Sequence, residues 1–100
     1  KLDAVIPLHS HYDHAMDAPE VARRTGATLY GSESTANIAR GWELDEGRIE
    51  IFTNKEPIAL GDFIITPIES NHFQFVDPDI AKTALDLPTI DRPLQSPTTE

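Results

Sequence analysis

The chain has 100 residues, 39% of them hydrophobic and 25% charged, which suits one small domain or part of a larger one. Its formal net charge of -9 and its eight scattered basic residues argue against a nucleic-acid or anionic-membrane surface. The absence of cysteine excludes a disulfide framework and a cysteine-based zinc knuckle, and it fits a cytoplasmic location, which we expect. No apolar run approaches the roughly 18 residues of a membrane span.

The first predicted strand and helix lie near the start of the chain. Nearly continuous apolar residues predict a buried strand over residues 2–8. A helix is predicted over residues 18–25, with Asp17 as its N-cap and Gly26 as its left-handed stop. Val21 is expected to face the core from this helix.

A second strand and a second helix follow directly. Residues 27–30 predict a short strand that Gly31 ends, and residues 33–40 predict a helix capped by Ser32. A strand, a helix and another strand in this order predict a right-handed crossover between two parallel strands.

The second half of the chain predicts shorter elements. Residues 48–52 alternate between apolar and polar, as in a half-buried strand. Residues 56–60 and 63–69 flank a glycine and an aspartate, which predicts a hairpin. The second strand of this hairpin is apolar on both faces, so we expect both faces to be buried. A short helix is expected near residues 78–85.

Three of the four histidines fall within six consecutive positions, directly after the first predicted strand. His9 and His11 are two residues apart on a segment expected to be extended, so they point to the same side and can bind one ion together. His72, which follows the predicted hairpin, supplies a third nitrogen. Three protein ligands and a water molecule form the open geometry of catalytic zinc. Asp13 and His14 point elsewhere and start a second metal site about 3.5–4 Å away.

The H-x-H-x-D-H run, set between a buried strand and a helix, resembles the metal-binding motif of the metallo-β-lactamase superfamily. The resemblance covers about residues 2–72. It implies a fold of the α/β (α+β) class, a partial αβ/βα sandwich with a mixed sheet and two helices between strands. It also implies that the chain is an internal fragment of a longer protein, because the bridging aspartate and the last histidine of the family have no counterpart here.

The resemblance implies a role for each residue of the motif. His9, His11 and His72 match ligands of the first metal, and Asp13 and His14 match ligands of the second. Asp13 is also the candidate catalytic residue. We expect one or two Zn²⁺ ions, with Mn²⁺ or Fe as alternatives, because Mg²⁺ binds poorly to histidine nitrogen.

The expected activity is that of a metal-dependent hydrolase acting on a small-molecule substrate. A metal-bound hydroxide would cleave an ester, amide or phosphodiester bond. Two alternatives stay open: a nucleic-acid-processing branch of the same superfamily, and a non-catalytic metal-binding module.

The chain is expected to divide into a core over residues 1–72, which carries the motif, and a Pro/Thr-rich loop or lid over residues 73–100. We expect the isolated piece to be inactive or nearly so. We also expect it to self-associate, because open sheet edges invite pairing between chains.

Overall fold

A computed structural model describes residues 1–70, 90 and 92–93 of the chain. Its centre is a three-stranded parallel sheet with the strand order β1–β2–β3. The strands are β1 (Ala4–Val5), β2 (Thr28–Gly31) and β3 (Ile49–Ile51). Leu29 pairs with Val5 on one side and with Ile49 on the other, so β2 is the central strand. The predicted parallel pairing of the first two strands is confirmed. The first strand is much shorter than the predicted residues 2–8.

Three α-helices connect these strands: α1 (Tyr12–Ala15), α2 (Ala18–Thr25) and α3 (Glu33–Gly41). The bounds of α2 are those predicted, and Gly26 ends it with a left-handed φ of 78°. The N-cap role predicted for Asp17 is wrong, because its side chain makes no capping hydrogen bond. A capping side chain needs extended backbone at its own position. The backbone of Asp17 is helical instead, with φ −93° and ψ −7°.

The main core lies between the sheet and helices α2 and α3. Its buried members are Ala18, Ala22, Leu29, Ala36, Ala39, Leu44 and Ile49. Ala18 and Ala22 lie four residues apart on α2, so they form one narrow stripe facing the sheet. The prediction that Val21 faces the core is wrong, because it lies beside this stripe and is exposed. Small alanines let the helices approach the sheet closely.

The start of α3 is fixed by its cap. The hydroxyl oxygen of Ser32 accepts a hydrogen bond from the Thr35 backbone N–H at 3.2 Å, as predicted for a capping serine. Gly31 belongs to β2 rather than following it, so the strand ends one residue later than predicted. A Cβ atom at Gly31 would lie 2.7 Å from the Cγ2 atom of Thr35, which makes this contact between β2 and α3 specific for glycine.

The hairpin forms a sheet of its own, made of β4 (Ile58–Leu60) and β5 (Phe63–Ile65) in antiparallel pairing. The predicted hairpin is therefore confirmed. The prediction that its second strand is buried on both faces is wrong, since Phe63 is 73% exposed and Ile64 is 74% exposed. The helices of the described residues pack on the parallel sheet, and the hairpin belongs to a different sheet.

Several predictions fall on other parts of the chain. His72 and the helix expected near residues 78–85 lie outside the described residues, as does nearly all of the segment 73–100. The division of the chain at residue 72 stays a prediction. Within the described part of the chain, no helix is both long enough and apolar enough to cross a membrane.

Candidate metal centre

His9 and His11 lie on the bend between β1 and α1, beyond the carboxyl end of an edge strand of the parallel sheet, and His14 lies in α1 itself. Residues 8–11 bend, and α1 begins at the next residue. The carbonyl oxygen of His11 accepts hydrogen bonds from the backbone N–H groups of His14, at 3.0 Å, and Ala15, at 2.9 Å. The expectation of an extended segment through His9 and His11 is therefore wrong, because the first turn of α1 draws the chain into a compact bend.

This bend brings three imidazole rings together. The ring centroid of His9 lies 4.8 Å from that of His11, with the rings edge to face, and 3.9 Å from that of His14, with the rings tilted by 46°. His9 is thus the central ring of the group. His9 and His11 are half-buried, whereas His14 is exposed. The Nε2 atom of His9 is fully buried. We name these three side chains the histidine cluster.

The histidine cluster has the right donor chemistry for a transition metal. Neutral imidazole nitrogen suits zinc, iron and similar ions. Contact between rings is not the same as convergence of their nitrogen atoms, however, and no three His, Asp or Glu side chains in the described part of the chain are arranged to hold one ion. The predicted ligands that would complete the set are the side chain of Asp13 and His72, and neither is described.

A second, smaller apolar cluster includes a residue of α1. Its buried members are Ala15 from α1, Ile38 from α3 and Ile90, and Trp42 packs against them. Ala15 directly follows His14, so the packing of α1 is part of how the histidine turn is held. Nothing in the sequence pattern predicts α1, because four residues are too few to show a helical period.

Two groups of ion pairs are centred on α2 and α3. Glu20 pairs with Arg24 at 2.7 Å and with Arg23 at 2.5 Å. The hydrogen bonds from Arg24 and Arg23 hold the pKa of the Glu20 carboxyl below its ordinary value. The Glu46 carboxylate, with a smaller contribution from Glu33, raises the pKa of Arg40 above its ordinary value. These pairs lie on the outer faces of the helices.

Comparison with known proteins gives a consistent picture. A beta-lactamase superfamily domain model matches residues 1–85. A UPF0173 metal-dependent hydrolase of Anaeromyxobacter dehalogenans is 31% identical over 75 residues, which is 72% of this chain and 27% of that protein. A protein of the same name from Methanopyrus kandleri is 49% identical over 39 residues, which is 39% of this chain and 17% of that protein.

The chain spans about a quarter of the length of the first of these relatives. No solved structure matches it significantly. The mixture of helices and strands agrees with part of the β-lactamase fold, which confirms the predicted α/β class and the resemblance to the metallo-β-lactamase superfamily. Since the domain model covers most of its residues, the chain belongs to the beta-lactamase superfamily.

Proposed function

We propose that the chain is the part of a metal-dependent hydrolase that carries most of its metal ligands. One observation carries this proposal: the ring of His9 contacts two other histidine rings. Its centroid lies 4.8 Å from that of His11 and 3.9 Å from that of His14. Relatives that cover 72% of the chain carry the name metal-dependent hydrolase, which supports the same reaction class.

The proposed ligand sets follow the motif. His9, His11 and His72 would hold one ion, and Asp13 and His14 would contribute to a second. Zn²⁺ is the proposed ion, with Mn²⁺ or Fe as alternatives. Bound there, it would supply the Lewis acidity that activates water and polarises the bond to be cleaved.

The chain's own contribution is to hold the ligands in place. The His11 carbonyl fixes the start of α1 through two backbone hydrogen bonds, and this fixes the backbone spacing between His11 and His14. Burial of the His9 Nε2 atom keeps bulk water away from that nitrogen. A donor atom held in this way loses little freedom on binding an ion, which favours tight binding.

The proposed substrate is a small molecule with an ester, amide or phosphodiester bond. The net charge of -9 opposes a polyanionic nucleic acid. A neutral or cationic small molecule meets no such repulsion. We therefore favour the small-molecule reaction over the nucleic-acid-processing alternative.

Zinc titration of variants tests the proposal. We expect the wild-type chain to bind about one equivalent of Zn²⁺ tightly, since three protein ligands and water complete a tetrahedral site. His11→Ala should abolish tight binding, because it removes a ligand and loosens the His9 contact. Glu50→Gln is the matched control: it removes an exposed carboxylate on β3 and should leave zinc binding at the wild-type level. Stoichiometric zinc retained by His11→Ala would contradict the ligand assignment.

A further inference from the structure

Ile90 is buried in the small apolar cluster that joins α1 to α3. Ile90 is only 5% exposed. It packs with Ala15 of α1 and Ile38 of α3, and Trp42 packs against the same cluster. Burying an isoleucine side chain is among the larger apolar contributions that one residue makes to packing. Ile90 therefore packs against residues of two helices, Ala15 and Ile38, that lie more than fifty residues earlier in the chain.

The backbone of Ile90 is bound as well as its side chain. Its N–H donates to the Ser34 hydroxyl oxygen at 2.9 Å, and its carbonyl oxygen accepts from the Asn37 Nδ2 atom at 2.7 Å. Asn37 is buried, and its Oδ1 atom accepts from an Arg40 guanidinium nitrogen at 3.0 Å, which fixes the orientation of the amide. Both backbone groups of one residue are thus bound by side chains of α3.

We propose that Ile90 is a positioning residue for the histidine cluster. A helix of four residues is not stable by itself in water, so α1 depends on tertiary packing. Of the two α1 residues whose burial is described, Ala15 is the buried one, and its packing partners are Ile38 and Ile90. Ala15 and His14 both donate their N–H groups to the His11 carbonyl, so the packing of Ala15 is linked to the backbone that carries the histidine rings.

The role in metal binding rests on the proposed function, whereas the role in ring placement does not. Loss of the Ile90 side chain opens a space beside Ala15, and α1 can then shift relative to the bend that carries His9 and His11. The expected consequence is a weaker contact between the His9 and His14 rings with or without metal. Two measurements on the 100-residue chain therefore separate the two claims.

The test compares Ile90→Ala with Ile49→Ala. Both remove the same atoms from a buried isoleucine, but Ile49 belongs to the main core between the sheet and the helices. The first measurement is Zn²⁺ affinity by competition with a chelator. The second is the set of ring Cε1–H resonances of the four histidines in the metal-free chain.

We expect Ile90→Ala to lower Zn²⁺ affinity by about 10-fold, the usual size of a loss of support behind metal ligands. It should also shift the metal-free resonances of His9 and His14. Ile49→Ala should leave both readouts at the wild-type values once the fraction of folded chain is taken into account. Equal changes in both variants, or no change in the resonances of Ile90→Ala, would overturn the proposal. If the wild-type chain binds no zinc, the proposed function fails and the resonances alone decide this inference.

Two milder variants keep the test decisive if Ile90→Ala does not fold. Ser34→Ala removes the acceptor of the Ile90 N–H without touching the apolar cluster, and it should shift the His14 resonance away from its wild-type position. Ile90→Val keeps most of the side chain, so its histidine resonances and its Zn²⁺ affinity should stay at the wild-type values. A wild-type spectrum in Ser34→Ala would show that the docking of Ile90 does not reach the histidines.

Discussion

The parallel sheet and the hairpin use the same kinds of apolar residue with opposite results. Leu29 in β2 is completely buried, whereas Phe63 and Ile64 in β5 are about three-quarters exposed. The sheet is covered because its crossover segments fold into helices that pack on it. The hairpin is joined by a two-residue turn that leaves no such cover. An apolar strand is therefore predictable from its own residues, but its burial depends on what the connecting segments become.

Truncation of the central strand should give the largest effect. Leu29→Ala removes a side chain that is fully enclosed between β1, β3 and the helices, and we expect it to lower the free energy of unfolding by about 2–5 kcal/mol. Ile64→Ala is the control in the exposed hairpin and should change it by no more than about 0.5 kcal/mol. Urea unfolding measures both. Similar losses in the two variants would contradict the difference in burial.

A methyl group at Gly31 should give the next largest effect. Gly31→Ala places a Cβ atom 2.7 Å from the Thr35 Cγ2 atom and 2.8 Å from its Cβ atom, so β2 and α3 must separate. Overpacking of this kind costs about 1–3 kcal/mol of stability. Gly47→Ala is the matched control, because no atom lies within 4 Å of the added methyl group. Thermal unfolding measures the stability of both variants. A Gly31→Ala variant as stable as Gly47→Ala would contradict the close contact.

A charge on the hairpin should change association rather than stability. We propose that the chain self-associates through the exposed apolar residues of β5, since open apolar strands invite pairing between chains. Ile64→Lys should then lower the average mass in light scattering and leave the urea midpoint near the wild-type value. Thr28→Lys, on the helix-covered sheet, should reduce stability instead. A monodisperse wild-type monomer would count against self-association.

The smallest expected effect is on the outer face of α2. The folded-state pKa of Glu20 is lowered by Arg24 and Arg23, so the pairs stabilise the chain above the unfolded-state pKa of the carboxyl. This contribution is lost as the pH falls through the lower, folded-state pKa. Glu20→Gln should therefore be slightly less stable than the wild type at pH 7, and the two should converge at acidic pH. Urea midpoints across this range check the sign, and a constant difference would refute it.

Local features of the fold were predictable from the sequence where local chemistry decides them. The bounds of α2 and the cap at Ser32 follow from residues within one turn of the helix end. The turn between β4 and β5 follows from Gly61, whose φ of 59° suits glycine. Asp17 has the right side chain for a cap, but α1 ends just before it and leaves its backbone helical.

The candidate site was predictable in composition but not in shape. The motif predicts that His9, His11 and His14 are all metal ligands, and the ring of His9 contacts both of the others. The prediction that His14 points away from His9 and His11 is wrong, because its ring centroid lies 3.9 Å from that of His9. The bend that brings them together depends on α1, which is stabilised by tertiary contacts rather than by its own sequence. Ile90 accepts a hydrogen bond from Asn37, which lies 53 residues earlier in the chain, and no local sequence pattern predicts a contact over that separation.

The metal content of the purified chain, measured by elemental analysis before any chelator is added, tests the central claim most directly. The proposed site predicts about one equivalent of zinc per chain, and a value near zero for His9→Ala, which lacks the central ring of the histidine cluster. No metal in the wild-type chain, or the same amount in both proteins, would contradict the claim that these histidines hold an ion.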